Sequence, residues 1–221
     1  LFFHALGSDP AADPLVYAPS EGTNFPSATV SDDDRWLVIN DFRGWSQSDV
    51  LLFDRGRARR GRRSAPDADH ALVDVVTGQD HLYVGFVHRG RLYVKHNDGA
   101  PRYRVDAVEP ARAADRDAWE IVIPEGAGAI EDVQPLRDRI AVHTIEQVAS
   151  RVRLFHLDGR ADGEIALPGR GELFGFDGDP ETGQLALGFS SFVHPPSLMT
   201  WNVRGRALEE VDRVQTDVDF D

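Results

Sequence analysis

Four times in succession the chain repeats one unit: four short segments rich in Val, Leu, Ile, Phe and Tyr, each cut off by Gly, Pro or Asp. No stretch sustains helical spacing for long, so the repeat is built from strands. Its period is near the roughly 40 to 50 residues of a propeller blade. After Asn24 the first unit holds SATV, RWLVIN, DVLLF and ALVDVV, and the second holds HLYVGFV, RLYVKH, YRVDAV and WEIVI. The third holds AIEDVQ, RIAVHTI, RVRLFHL and GEIAL, and the last ELFGFD, QLALGFS, SLMTWNV and ALEEVDRV. Ahead of them FFHAL and LVYA read as a hairpin, the outer half of another unit.

Within a radial blade, strands near the axis are sandwiched between neighbours and outer strands keep one wet face. Trp36, Leu37, Val38 and Ile39 run without a polar break, as do most of Leu82 to Val87, whereas Tyr103, Val105 and Ala107 alternate with Arg102, Arg104 and Asp106. That change of pattern favours a propeller over a single β-sandwich, which alternates throughout. The expected fold is all-β, a partial β-propeller of about four and a half four-stranded antiparallel blades. An open arc leaves sheet edges exposed at its N-terminal end, and the missing blades are expected upstream.

Composition narrows the function. The 221 residues carry 24 Lys plus Arg against 37 Asp plus Glu, a formal charge of −13, which argues against nucleic acid as a partner. With 41% hydrophobic and 28% charged residues the chain is globular, and one domain is the expected organisation. There is no cysteine, so disulfides, thiolate zinc sites and thiol nucleophiles are impossible, and the redox compartment is left open. No apolar run reaches the roughly 18 residues of a membrane span, and no membrane partner is expected. The opening LFFHAL lacks the basic flank of a signal peptide and reads as the middle of a strand.

Residues able to carry chemistry are few. The nearest approaches to a G-x-S-x-G elbow, GWSQS from Gly44 and GFSSF from Gly188, fall between strands with no helix following. They read as loop and strand serines, so no catalytic residue is assigned. His81, His88 and His96 lie close in sequence but lack metal-ligand spacing, and neither metal nor cofactor is expected. SDDDRW from Ser31 and DGDPETG from Asp177 miss the calcium-loop pattern and read as turns whose Asp side chains satisfy backbone N–H groups. Six arginines between Arg55 and Arg63 read as a solvated loop, with an acidic partner as the alternative.

Taken in order, the segments carry a resemblance. FFHALGSDPAADPLVYA resembles the hairpin of the prolyl oligopeptidase propeller, and SATVSDDDRWLVIND is similar to the family segment that follows it. NDGAPRYRVDAV matches a third landmark, and SRVRLFHLDGR with LALGFSSFVHPPSLMTWNV resembles the last two blades before the catalytic domain. The correspondence is collinear over nearly the whole chain.

The resemblance implies the later blades of a seven-bladed ring, over residues 1–215, with 216–221 beginning the linker to an α/β-hydrolase domain that this chain does not include. It also implies a cytoplasmic serine endopeptidase that hydrolyses short peptides after proline, with the propeller admitting short peptides and carrying no catalytic triad. The partners implied are the peptide and the hydrolase domain. Oligopeptidase B, which cleaves after basic residues, shares several landmarks and is the alternative; a non-enzymatic binding or scaffold propeller is another. Two family loops help to line the pocket for the third residue upstream of the cut. They place Phe25 as an apolar lining residue, followed after the RWLVIN strand by Phe42, Arg43, Gly44 and Trp45. Here the arginine comes one place later than in the family, and Trp45 replaces a small residue. The substrate-binding set is therefore Phe25, Arg43 and Trp45.

Overall fold

The computed structural model of the chain describes residues 1–56 and 72–215. Most of the Arg55 to Arg63 run and all of the 216–221 linker lie outside the described residues. Among the described residues, sixteen strands form four sheets of four, each strand lying beside its neighbours in chain order. The first sheet holds β1 (Phe25–Val30), β2 (Trp36–Arg43), β3 (Gln47–Asp54) and β4 (Leu72–Val76); the second β5 (Tyr83–His88), β6 (Arg91–His96), β7 (Arg104–Val108) and β8 (Glu120–Ile123). The third holds β9 (Ala129–Leu136), β10 (Arg139–Glu146), β11 (Ala149–His156) and β12 (Ala161–Ile165); the fourth β13 (Glu172–Gly178), β14 (Gln184–Ser191), β15 (His194–Asn202) and β16 (Leu208–Arg213). These are the four units read from the sequence. The N-terminal hairpin is reduced to one bridge, Phe2 with Leu15, flanked by N–H bonds from Phe3 to the Pro14 carbonyl and from Val16 to the Leu1 carbonyl.

Two compact units divide the chain, one of residues 1–99 and 105–120, the other of 100–104 and 121–221. The first has a core of Trp36, Val38, Val50, Leu52, Tyr83, Val87, Leu92 and Val94. In the second the core is Leu136, Val152, Leu154, Leu173, Leu185, Leu187, Phe189, Met199 and Trp201.

Burial departs from the expected gradient. The middle strands carry the core, as in β2 and β3, whereas the first strand β1 and the last strand β16 are almost wholly exposed. An edge strand lacks a neighbour on one side, and β1 and β16 keep water there, whereas the edge strand β5 is buried against β2 and β3. Asp106, expected on a wet face, is buried, and the reason is local: His96 Nε2 lies 3.0 Å from its Oδ2. Tyr103, expected in that strand, precedes it with a φ of 67°.

Polar side chains join adjacent sheets within the first unit. Buried Ser48 of β3 accepts from the Tyr83 N–H at 2.7 Å and donates to the Tyr83 carbonyl at 2.6 Å. Asn40 of β2 does the same for Gly85, accepting at 2.7 Å and donating at 3.1 Å. Tyr83 and Gly85 belong to β5, the edge strand of its sheet, so these side chains satisfy backbone groups that no neighbouring strand pairs. The sheets approach so closely there that a Cβ on Gly85 would lie 2.9 Å from Val50 Cγ1. The second unit repeats the device: Ser150 of β11 accepts from the Leu173 N–H at 3.0 Å, and its own N–H donates to the Gly171 carbonyl at 2.9 Å.

Candidate functional site

Register brings Phe25, Arg43 and Trp45 to one end of the first sheet. Phe25 opens β1 opposite Phe42, Arg43 closes β2 opposite Gln47, and Gly44, Trp45 and Ser46 make the turn between them. Gly44 has a φ of +73°, which lets β2 reverse within three residues. The two aromatics present their surface to solvent, Phe25 at 71% and Trp45 at 99% exposure. Neither packs as a loop anchor.

Arg43 behaves differently. Its Nη2 donates to the Gln79 carbonyl at 2.8 Å and lies 3.2 Å from Asp49 Oδ1, which also accepts from the Gly78 N–H at 2.8 Å. The guanidinium thus ties the end of β2 to the connection that leads into β5, at the end of the sheet where Phe25 and Trp45 also lie.

Beneath them is a residue that the sequence reading did not single out. Asp41 is 1% exposed and its Oδ2 accepts from the Tyr17 hydroxyl at 2.7 Å and Asn24 Nδ2 at 3.0 Å. Asn24 immediately precedes Phe25, so this carboxylate fixes the entry to β1. Burial, then the bond to Asp41 and the charges of Asp41, Asp49 and Asp74, push the Tyr17 phenol above its ordinary pKa. The available signal was an acidic residue directly after the apolar run Trp36 to Ile39 and Asn40, within the RWLVIND segment.

The other candidates resolve into separate local contacts. His81 lies 3.6 Å from Asp98, His88 3.3 Å from Asp32 and His96 3.0 Å from Asp106, three histidines on three different carboxylates. Among the described residues no group of three or more metal-ligating side chains is assembled. In the first acidic segment the Trp36 N–H donates to Ser31 Oγ at 2.9 Å and the Arg35 N–H to Asp33 Oδ1 at 3.1 Å. In the second, Asp179 Oδ1 takes the N–H groups of Glu181 and Thr182 at 2.8 and 3.1 Å. Both acidic segments are therefore turns held by Asp or Ser side chains, as read.

Two Ser–His pairs test for acyl-transfer chemistry. His143 Nε2 is 2.9 Å from Ser150 Oγ, and His194 Nε2 is 2.9 Å from Ser197 Oγ with Glu210 at 3.7 Å. A triad needs an exposed nucleophile and an orienting carboxylate on the opposite ring nitrogen. Both serines are buried, and Glu210 faces the same Nε2 that faces Ser197. These are packing contacts.

Residues 1–212 match the family model described as prolyl oligopeptidase, N-terminal beta-propeller domain. A prolyl endopeptidase of Elizabethkingia meningoseptica is 23% identical over 210 residues, covering 92% of this chain and 27% of the relative. That of Elizabethkingia miricola is 22% identical over 214 residues, with the same two coverages. The chain thus spans about a quarter of the length of these relatives. Among solved structures, a prolyl endopeptidase studied for inter-domain dynamics in catalysis and specificity superimposes over 99% of this chain and 31% of its own, with a TM-score of 0.85 at 25% identity. Apo prolyl oligopeptidase B from Galerina marginata shares the fold over 99% of this chain and 31% of its own, with a TM-score of 0.81 at 16% identity. The chain belongs to the prolyl oligopeptidase N-terminal beta-propeller domain family.

Proposed function

We propose that this propeller is part of a serine endopeptidase of prolyl oligopeptidase type, which hydrolyses short peptides after proline in a companion α/β-hydrolase domain. The observation that carries the reading is the match to the family along residues 1–212, with a prolyl endopeptidase fold superimposing over nearly the whole chain. The propeller's part is to face the substrate. Phe25 and Trp45 offer an apolar wall at one end of the first sheet, and Arg43, tied to Asp49 and the Gln79 carbonyl, fixes the turn that carries Trp45. Extended apolar peptide residues suit such a wall, because burying an aromatic face releases water at about 25 cal/mol per Å².

The test uses the whole protein and fluorogenic prolyl peptides of two lengths. Turnover by the whole protein, with none by the 221-residue chain alone, is expected. Phe25→Ala or Trp45→Ala is expected to lower kcat/KM for the longer peptide by roughly tenfold, about 1.4 kcal/mol, with little effect on the shorter. Equal losses at both lengths would assign the aromatics to stability instead. A whole protein inert toward prolyl peptides would overturn the assignment of activity.

A further inference from the structure

Phe25 stands at the last paired position of β1, opposite Phe42, so the ladder that holds the strand ends with it. Just before it the chain is fixed by a side chain. Asn24 donates from Nδ2 to Asp41 Oδ2 at 3.0 Å, and the Tyr17 hydroxyl donates to the same oxygen at 2.7 Å. One carboxylate oxygen of β2 therefore closes the loop 18–23, whose residues are exposed apart from half-buried Pro19. At the end of that loop the Asn24 N–H donates to the Glu21 carbonyl at 3.2 Å.

Asp41 is costly where it stands. It is 1% exposed, its Oδ1 is buried with no hydrogen-bond partner among the described residues, and Asp49 lies directly opposite it on β3. A bare buried oxygen and like charges facing each other across a ladder both destabilise. Asp49 is itself met by Arg43 at 3.2 Å and by the Gly78 N–H at 2.8 Å, and Asp74 adds a further negative charge near the Tyr17 phenol. The donors that answer Asp41 thus come from Tyr17 and Asn24. An asparagine in its place would accept from the same two donors without the charge. What the charge adds is strength, because hydrogen bonds to an ionised acceptor are about twice as strong as neutral ones. The sheet gains nothing from that strength, whereas a loop held in one place does.

We propose that Asp41 is a positioning residue: it clasps the loop 18–23 through Tyr17 and Asn24, and so holds the Phe25 ring where longer peptides meet it. The inference rests on the reading above that Phe25 faces the peptide. At 71% exposure the ring draws little on packing for its place. Its position then follows its backbone, which the Phe42 pair fixes on one side and the clasp on the other. A peptide too short to reach Phe25 does not sense the clasp. A longer one binds less tightly without it, since ordering a loop on binding costs affinity.

The test uses the whole protein and the two fluorogenic prolyl peptides. Asn24→Ala removes one donor and leaves Asp41 its bond from Tyr17. It should raise KM for the longer peptide about threefold with kcat unchanged, spare the shorter one, and add nothing when Phe25 is already alanine. Asp41→Asn separates positioning from stability: with the charge opposite Asp49 gone, the thermal midpoint should hold or rise while KM for the longer peptide again rises. Equal losses at both lengths, losses that persist beside Phe25→Ala, or a KM unchanged in both variants would overturn the proposal, and a midpoint that falls with Asp41→Asn would assign the residue to stability. A second readout needs no peptide. With Phe25→para-fluorophenylalanine, the fluorine NMR line should narrow on adding Asn24→Ala as the ring gains freedom, and an unchanged line would refute the clasp. A line that narrows in a protein whose Phe25→Ala variant handles both peptides normally would keep the clasp and sink only the peptide-facing reading of Phe25.

Discussion

Replacing Ser48 with alanine removes one oxygen and disturbs two backbone groups. Ser48 Oγ accepts from the Tyr83 N–H at 2.7 Å and donates to the Tyr83 carbonyl at 2.6 Å, with the serine wholly buried. Those groups lie on the outer edge of β5, the first strand of its sheet, where no strand replaces the lost partner. Alanine adds no volume, and a water could reach the site only by opening the core around Val50 and Tyr83. A buried N–H left without an acceptor costs about 1–3 kcal/mol, and a lost bond to the carbonyl adds about 1 kcal/mol. The expected destabilisation is therefore about 2–4 kcal/mol, a fall in thermal midpoint of about 4–16 °C for a protein of this size. Urea unfolding followed by tryptophan fluorescence and by far-ultraviolet circular dichroism measures it, with Ser46→Ala as the companion. Ser46 is exposed in the adjacent turn, and its replacement should stay within about 0.5 kcal/mol. A Ser48→Ala midpoint indistinguishable from that of Ser46→Ala would refute the claim that side chains complete the edge of β5.

Gly85→Ala should destabilise by about 1–3 kcal/mol, since its Cβ would sit 2.9 Å from Val50 Cγ1 and 3.3 Å from Val38 Cγ1; adding Val50→Ala should recover part of the loss in the same urea assay. Asp162 takes bonds from Arg206 at 2.8 Å and Arg139 at 2.7 Å, which hold its carboxyl down at about 2 against an ordinary 3.8. Because the folded value lies below the unfolded one, this stabilisation is complete above about pH 4 and lost as the pH falls toward 2. The full gap corresponds to about 2.4 kcal/mol, and water at a carboxylate 20% exposed screens it to about 1 kcal/mol. Acid unfolding of Asp162→Asn should accordingly be shallower between pH 4 and 2, and a parallel curve would exclude the contribution. Tyr83, pushed up to about 12 by burial and its bond to Asp98, should ionise about two pH units after an exposed tyrosine in an absorbance titration, unless unfolding comes first.

The strands were legible because their signal is local. RWLVIN, RIAVHTI and QLALGFS each hold a run of three or four apolar residues, and each became the second strand of a sheet, flanked on both sides. Which strand stays wet was less legible, since that depends on neighbours the sequence does not name. SATV is as apolar as many buried strands, yet β1 is an exposed edge. Asp106 looks like a solvent residue until His96, ten positions earlier, is brought against it by the β6 to β7 reversal. Ser48 and Ser150 were equally silent: a serine at the second position of a third strand is unremarkable until the next sheet's edge strand arrives to use it.

The candidate site illustrates the same limit at single residues. Trp36 and Trp45 are the same residue type nine positions apart, one in the core and the other almost fully exposed. Their contexts explain the difference. Trp36 opens β2 among apolar neighbours, stacked under the Arg35 guanidinium at 4.5 Å, whereas Trp45 follows a glycine at positive φ at the tip of a hairpin. A tip has no second layer of the same unit to pack against, so an aromatic there stays wet unless something else covers it. That is why exposure separates the three expected site residues where residue type could not. Phe25 and Trp45 offer area to a ligand or partner, and Arg43, its guanidinium bonded to Asp49 and Gln79, holds the turn in place. Cutting that tie should therefore act through Trp45: Arg43→Gln should lower kcat/KM for long peptides by a smaller factor than Trp45→Ala, and it should add little once Trp45 is already alanine. Additive losses in the double variant would mean that Arg43 touches the peptide itself.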